Sequence, residues 1–199
     1  MTDLGLHRAA AEGDLARITA RLAEGLPIDG RDADGRTPVM AATVARQTAA
    51  VLALVEAGAD IDIRDNRLDN PFLYAGAEGL LDILRVVNEA GADPAITNRY
   101  GGIALIPASE RGHVEVVRYL LEESDVDVDH VNNLGWAALL EAIILADGDV
   151  AHQEIVRLLL EHGADPDLAD REGVTPLAHA RARGHVEIAG LLEAAGATR

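Results

Sequence analysis

The sequence predicts an all-α fold, a solenoid of about six helix–turn–helix repeats with short β-turn fingers, and three observations predict it. A glycine recurs at one period: Gly25, Gly58 and Gly91, then Ser124 in its place, then Gly163 and Gly196, in steps of 33, 33, 33, 39 and 33 residues. A second landmark keeps almost the same step: Gly35, Leu68 in its place, Gly101, Gly135 and Gly173, spaced by 33, 33, 34 and 38. Two independent landmarks on one period mark a repeated supersecondary unit. The third observation is compositional: 49% of residues are hydrophobic and only 3% aromatic. Ala, Leu, Val and Ile therefore fill the core, which suits closely packed helices better than a sheet sandwich.

Each element of the unit follows from local chemistry. In the last repeat, Asp170-Arg171-Glu172-Gly173-Val174-Thr175-Pro176-Leu177 places a turn glycine before Thr and Pro. That pair reads as an N-cap followed by an N1 proline, and Thr37-Pro38 and Asn70-Pro71 repeat it. A short helix follows, as from Pro38 to Ala45, and breaks near Gly-His, seen clearly at Gly112-His113 and Gly184-His185. A second helix then runs through Val114-Glu115-Val116-Val117-Arg118-Tyr119-Leu120-Leu121, whose apolar positions 116, 117, 120 and 121 share one face. The recurrent glycine ends it as a left-handed C′ residue. The next residues, as in Ala59-Asp60-Ile61-Asp62, run extended to the following turn.

Thr37-Pro38, Gly112-His113-Val114-Glu115-Val116-Val117, Gly163-Ala164-Asp165 and Asp170-x-x-Gly173-x-Thr175-Pro176-Leu177 resemble the ankyrin repeat, over essentially the whole chain. The resemblance implies one ankyrin-repeat solenoid domain, 1–199, with repeats at roughly 1–31, 32–64, 65–97, 98–131, 132–169 and 170–199. It also implies that turn tips and inner helices line a concave binding face, and that His113 and His185 make structural hydrogen bonds at a helix start. Such units cannot bury their own apolar faces and must stack, so the two ends need polar caps. Arg8, Glu12, Arg17 and Arg21 are read as one cap, and the weakened helix at Ile188-Ala189-Gly190 as the other.

The fourth and fifth repeats depart from the pattern. One extra residue separates Ser124 from Gly135, which suggests a remodelled helix end rather than a left-handed serine. Ile103-Ala104 and Ala137-Ala138 replace Thr-Pro and lose side-chain caps, each worth roughly 1 kcal/mol. Pro107 is expected about a turn into its helix, at the cost of a backbone donor. Five extra residues lie between Gly135 and Gly163, expected in the loop around Ala146–Ala151. Such departures mark either a functional site or a tolerated loop insertion.

Charge and composition exclude several functions. Seventeen basic against thirty-four acidic residues leave −17 at pH 7. That field repels phosphate backbones and anionic membranes, so the partner is neither nucleic acid nor membrane, and a basic protein surface is attracted. The absence of cysteine removes disulfides, thiolate catalysis and zinc–thiolate sites. Met1–Arg8 carries no basic region before an apolar run, so a cytoplasmic location is expected, and a removed export signal would look the same. Asp125-Val126-Asp127-Val128-Asp129 starts like a calcium loop, but His130 and Trp136 stand where its glycine and glutamate belong. The histidines His7, His113, His130, His152, His162, His179 and His185 form no ligand pair at helical spacing. No phosphate loop or nucleophile elbow is present. No metal, cofactor or catalytic residue is therefore assigned.

The expected function is non-catalytic: a monomeric scaffold that recognises one protein partner through turn tips and inner helices. The candidate contact residues are Arg67, Asp69, Tyr74, Arg99, Tyr100, Leu134, Trp136, Ile144, Leu145 and Arg171. Tyr100 and Trp136 flank the turn glycines of consecutive repeats, and aromatics of this kind anchor interfaces. Trp136 could equally pack against a neighbouring finger. Two other classes stay open, a metal-dependent hydrolase using the Asp/His-rich middle repeats and a structural, self-assembling repeat protein.

Overall fold

In a computed structural model, which describes residues 5–198, every described element is a helix and no strand is present among them. The chain divides into two compact units, one ending at Arg99 and the other beginning at Tyr100. Residues 1–4, on which part of the leader reading rests, and Arg199 of the last repeat lie outside the described residues. No described helix is long and apolar enough to cross a membrane.

The first unit contains three helix pairs: α1 (Gly5–Glu12) with α2 (Leu15–Ala23), α3 (Pro38–Val44) with α4 (Thr48–Glu56), and α5 (Pro71–Ala77) with α6 (Leu81–Glu89). First helices pack on first helices and second on second, which makes two layers. Leu6, Val39, Met40 and Phe72 fill the first layer, and Ile18, Leu54, Ile83 and Leu84 the second, all essentially inaccessible to water. Each such side chain contributes roughly 1.5–3 kcal/mol by leaving water. The second unit repeats the plan with α7 (Leu105–Glu110), α8 (Val114–Glu123), α9 (Ala138–Ile144), α10 (Val150–Glu161), α11 (Pro176–Arg183) and α12 (Val186–Ala194). Leu105, Leu140, Ile143 and Leu177 form one layer of its core, and Val117, Leu120, Ile155, Leu159, Ile188 and Leu192 the other.

The caps form as the sequence predicts. Thr37, Asn70 and Thr175 are extended N-caps whose side chains accept from Met40 N, Leu73 N and Ala178 N at 3.3, 2.9 and 3.3 Å. Gly58 has φ 91°, and its N–H and that of Ala59 return to Val55 O and Leu54 O at 2.9 and 3.0 Å. This is a Schellman closure that only a left-handed residue completes. Ser124, without that freedom, is extended at φ −137°, and its Oγ donates to Leu120 O at 2.6 Å instead. Leu68, at the position of the turn glycine, does adopt the left-handed region at φ 62°, and Arg46 does the same in the turn between α3 and α4 at φ 59°.

Two expectations need correction. Pro107 stands about a turn into α7, as its third residue, but costs no hydrogen bond of the helix. α7 starts abruptly after Ala104, whose own φ of −56° is helical, so the proline sits where a backbone N–H has no intrahelical acceptor and removes no ladder bond. The five-residue insertion is not confined to a loop. The connection between α9 and α10 spans five residues where α11 and α12 are joined by two, and α10 runs to 12 residues against 9 for α12. Asp149, newly supplied by the insertion, caps the lengthened helix by accepting from His152 N at 3.0 Å.

The extended segments between repeats are tied by aspartates. Asp29 Oδ1 accepts from Asp60 N at 2.9 Å and Asp62 Oδ1 from Asp93 N at 3.1 Å in the first unit. In the second, Asp129 Oδ1 accepts from Asp165 N at 3.0 Å and Asp167 Oδ1 from Thr198 N at 3.1 Å. The run Asp125–Asp129, considered above as a cation loop, supplies one rung of this ladder through Asp129.

Candidate functional site

The fingers are built around one Asx residue each. Asp32, Asp65, Asn132 and Asp170 donate their N–H to the carbonyl four residues on, at 2.8–3.1 Å. Their Oδ1 atoms accept the N–H groups two and four residues on. Each turn is thereby closed by its backbone and by a side chain that mimics backbone. The finger bearing Trp136 is therefore fixed by Asn132: Leu134 N and Trp136 N reach its Oδ1 at 2.8 and 3.1 Å.

Asn132 is itself held. Its Nδ2 donates to Glu141 Oε1 at 2.8 Å, and both residues are buried. Burial pushes the Glu141 carboxyl up to about 7; nearby Glu110 adds repulsion, and the Asn132 hydrogen bond pulls weakly the other way. The last repeat places His179 at the equivalent position, where its Nε2 meets Asp170 Oδ2 at 2.7 Å. Sequence reading missed this pairing of a finger-base Asx with a residue nine positions later on the first helix. The signal was available, because Asp32, Asp65, Asn98, Asn132 and Asp170 share the period of the glycines.

The fold brings four of the candidate contact residues together on the fingers of the second unit. Asn133 N donates to Tyr100 O at 2.8 Å, so consecutive tips are neighbours. Tyr100 is 55% and Leu134 53% exposed, Val131 is exposed as well, and Trp136 is half-buried. The Arg171 side chain lies against the Gly135 turn so closely that a Cβ at 135 would overlap its Cγ. Ile144 and Leu145 stand apart, at the far end of α9, about 10 Å along its seven residues. Ile144 is half-buried and Leu145 exposed. Arg67, Asp69, Tyr74 and Arg99 belong to the first unit. There Arg67 and Asp69 donate backbone N–H groups to Asp65, Tyr74 is half-buried on α5, and Arg99 is exposed.

The histidines serve the scaffold. His130 Nε2 meets Gly101 O at 2.7 Å, and His152 meets Glu110 O and Asp149 Oδ1 at 3.0 and 2.7 Å. His185 departs from the hydrogen bond implied by resemblance: its ring packs on Gly148, and its buried Nε2 has no hydrogen-bond partner among the described residues.

Comparison with known proteins agrees with this architecture. A family model described as ankyrin repeats (3 copies) matches residues 6–98 and 72–170, and one described as ankyrin repeats (many copies) matches 150–192. The ankyrin repeat protein YahD of Escherichia coli (strain K12) is 46% identical over 189 residues, 95% of this chain and 94% of that protein. The crystal structure of an ankyrin repeat domain from Acinetobacter baumannii AYE superposes with a TM-score of 0.95 at 55% identity, covering 98% of this chain and 100% of that one. The mouse B-cell lymphoma 3 protein homolog is 34% identical over 174 residues, 83% of this chain but 38% of that longer protein. Repeat period, cap chemistry, two-layer helix stacking and these matches agree, and the chain belongs to the ankyrin-repeat family.

Proposed function

We propose that the chain is a non-catalytic binding module whose second unit grips a basic protein surface with its fingertips. Proteins of this family generally act by binding other proteins. The observation that carries the reading is the exposed apolar set Tyr100, Val131 and Leu134, beside half-buried Trp136, on fingers fixed by Asn132 and Glu141. Large apolar groups on a rigid frame lose little conformational entropy on binding. Residues 100–199 carry seven arginines against eighteen carboxylates, so a basic partner is attracted and added salt slows association. Arg171 borders the surface, while Ile144 and Leu145 offer a separate contact at the far end of α9. Arg67, Asp69 and Arg99 on the first unit's fingers, and Tyr74 on α5, offer further contacts.

The test uses the parent, Trp136→Ala and Arg118→Ala as baits in lysate of the source cell, with circular dichroism to confirm folding. Arg118 lies on α8, away from the fingers, and pairs with Glu154 at 2.9 Å. A partner bound by the parent and by Arg118→Ala is expected to bind Trp136→Ala more weakly by about 2 kcal/mol or more. A partner that ignores Trp136→Ala but is lost by Arg118→Ala puts the interface on α8.

A further inference from the structure

Counting nine residues on from each finger base gives Ala41, Tyr74, Pro107, Glu141 and His179, and only the fourth is an acid. The base residue of that finger is matched to it. Asn132 donates through Nδ2 to Glu141 Oε1 at 2.8 Å, where an aspartate, as at 32, 65 and 170, would set a second carboxylate against the first. Asp170 in turn stands opposite a histidine, with its Oδ2 2.7 Å from His179 Nε2. Asn132 and Glu141 are both buried, so this one finger closes over an ionisable acid.

Three helices pack against α9, namely α7, α10 and α11. On α7, Glu110 repels the Glu141 carboxyl, and Arg111 just past that helix is exposed. On α10, His152 is turned to Glu110 O and Asp149, while Glu154 pairs with Arg118 and Arg157. On α11, His179 is engaged with Asp170, Arg181 with Glu193, and Arg183 with Ile144 O. These cations are thus engaged with groups other than Glu141. A buried carboxylate that has one neutral donor and a like charge nearby is costly, and the chain relieves the cost by keeping a proton on it or by giving it water.

One side-chain amide joins the acid to the finger. Asn132 Oδ1 holds Leu134 N and Trp136 N at 2.8 and 3.1 Å, while its Nδ2 lies on Glu141. Opening the finger therefore moves the residue that covers the carboxyl. In the closed finger, burial first and Glu110 second raise Glu141 to about 7. In an open finger, in water, it titrates as an ordinary glutamate at about 4.3. Between these values the closed finger holds a proton that the open one lacks. Closure is therefore favoured in acid, and opening gains as pH rises through this window and levels off above it.

We propose that the finger at residues 132–136 is a proton-linked latch: it closes over a protonated Glu141, and each opening releases that proton as the carboxyl reaches water. Rising pH therefore frees Leu134 and Trp136 from Asn132. A partner on the fingertip surface meets a rigid finger in mild acid and a looser one in mild alkali. That last consequence rests on the binding reading above; the latch itself does not.

Amide exchange of the ¹⁵N-labelled protein, followed by NMR from about pH 5 to about pH 8 and corrected for intrinsic rates, gives the opening constant of each finger. At Leu134 and Trp136 it is expected to rise about tenfold per pH unit, levelling off at about pH 7. Glu141→Gln removes the titrating group and should flatten the curve. Glu110→Gln lessens the repulsion and should make the curve level off at lower pH. Asp34 and Arg36 are held in the same way by Asp32, in a finger whose matching residue is Ala41, and should show no rise. A flat curve in the parent overturns the proposal, as does a rise that survives in Glu141→Gln or appears equally at 34 and 36. So does exchange at 134 and 136 no faster than at buried Ile143 of α9, which means that the whole unit opens. No partner enters the measurement, so its failure leaves the binding proposal standing.

Discussion

Replacing Glu141 with glutamine should make the protein more stable, by an amount that grows with pH. The carboxyl is only 4% exposed, is raised to about 7 by burial, and is hydrogen-bonded to Asn132. In the unfolded chain a glutamate titrates near 4.3. Between these two values the folded protein holds a proton that the unfolded chain has released. The favourable contribution is therefore complete below the unfolded value and is lost as pH rises through the folded one. A displacement of that size corresponds to about 4 kcal/mol at most. A glutamine side chain imitates the protonated acid, accepting from Asn132 through one oxygen and carrying no charge. The advantage of Glu141→Gln over the parent should thus widen by up to about 4 kcal/mol between about pH 4 and pH 8. Urea melts of both proteins across that range measure it, and taking the difference cancels every other titrating group. A difference that stays constant with pH, or narrows as pH rises, refutes the account of Glu141 as a buried acid.

Other expectations concern the backbone and the fingers. Leu68→Gly should stabilise by roughly 0.5–1 kcal/mol, because leucine is held at φ 62° and is exposed enough to lose little packing; a loss of stability in denaturant melts contradicts this. Gly58→Val should cost more than about 1 kcal/mol although no atom lies within 4 Å of the new Cβ, which isolates the strain of φ 91°; an unchanged midpoint denies the C′ role. Asn132→Ala removes hydrogen bonds to Leu134, Trp136 and Glu141 together, and should speed amide exchange at residues 134 and 136 well before the helices open. Uniform protection along that finger means it is held by other contacts.

What could be read in advance was what local chain physics decides. The sign of φ at Gly58 and the orphan N–H groups that Thr37, Asn70 and Thr175 satisfy depend on a few consecutive residues. Their pattern was therefore written in the spacing. Glu141 was opaque for the opposite reason. On a helix it resembles any solvated glutamate, and only folding places it against Asn132 and near Glu110. Arg8, Arg17 and Arg21 were read as a polar end cap, since nothing in their order shows that Arg36 and the buried ring of His7 join them around one cavity. The insertion was countable but not divisible: five extra residues do not say how many lengthen α10 and how many lengthen the loop.

The aspartate ladder makes repeat length a free variable. In three of the described rungs the linked residues are 31 apart in the chain, and in the fourth, Asp129 to Asp165, they are 36 apart, yet that bond is made at the same 3.0 Å scale. The extra chain has been absorbed between the two anchoring points without altering the step from one repeat to the next. The segment at Ala146 and Asp147, between α9 and α10, is accordingly a natural splice point. A reporter peptide or a fluorophore attachment grafted there leaves the stacking register untouched, provided Gly148 keeps its place against His185.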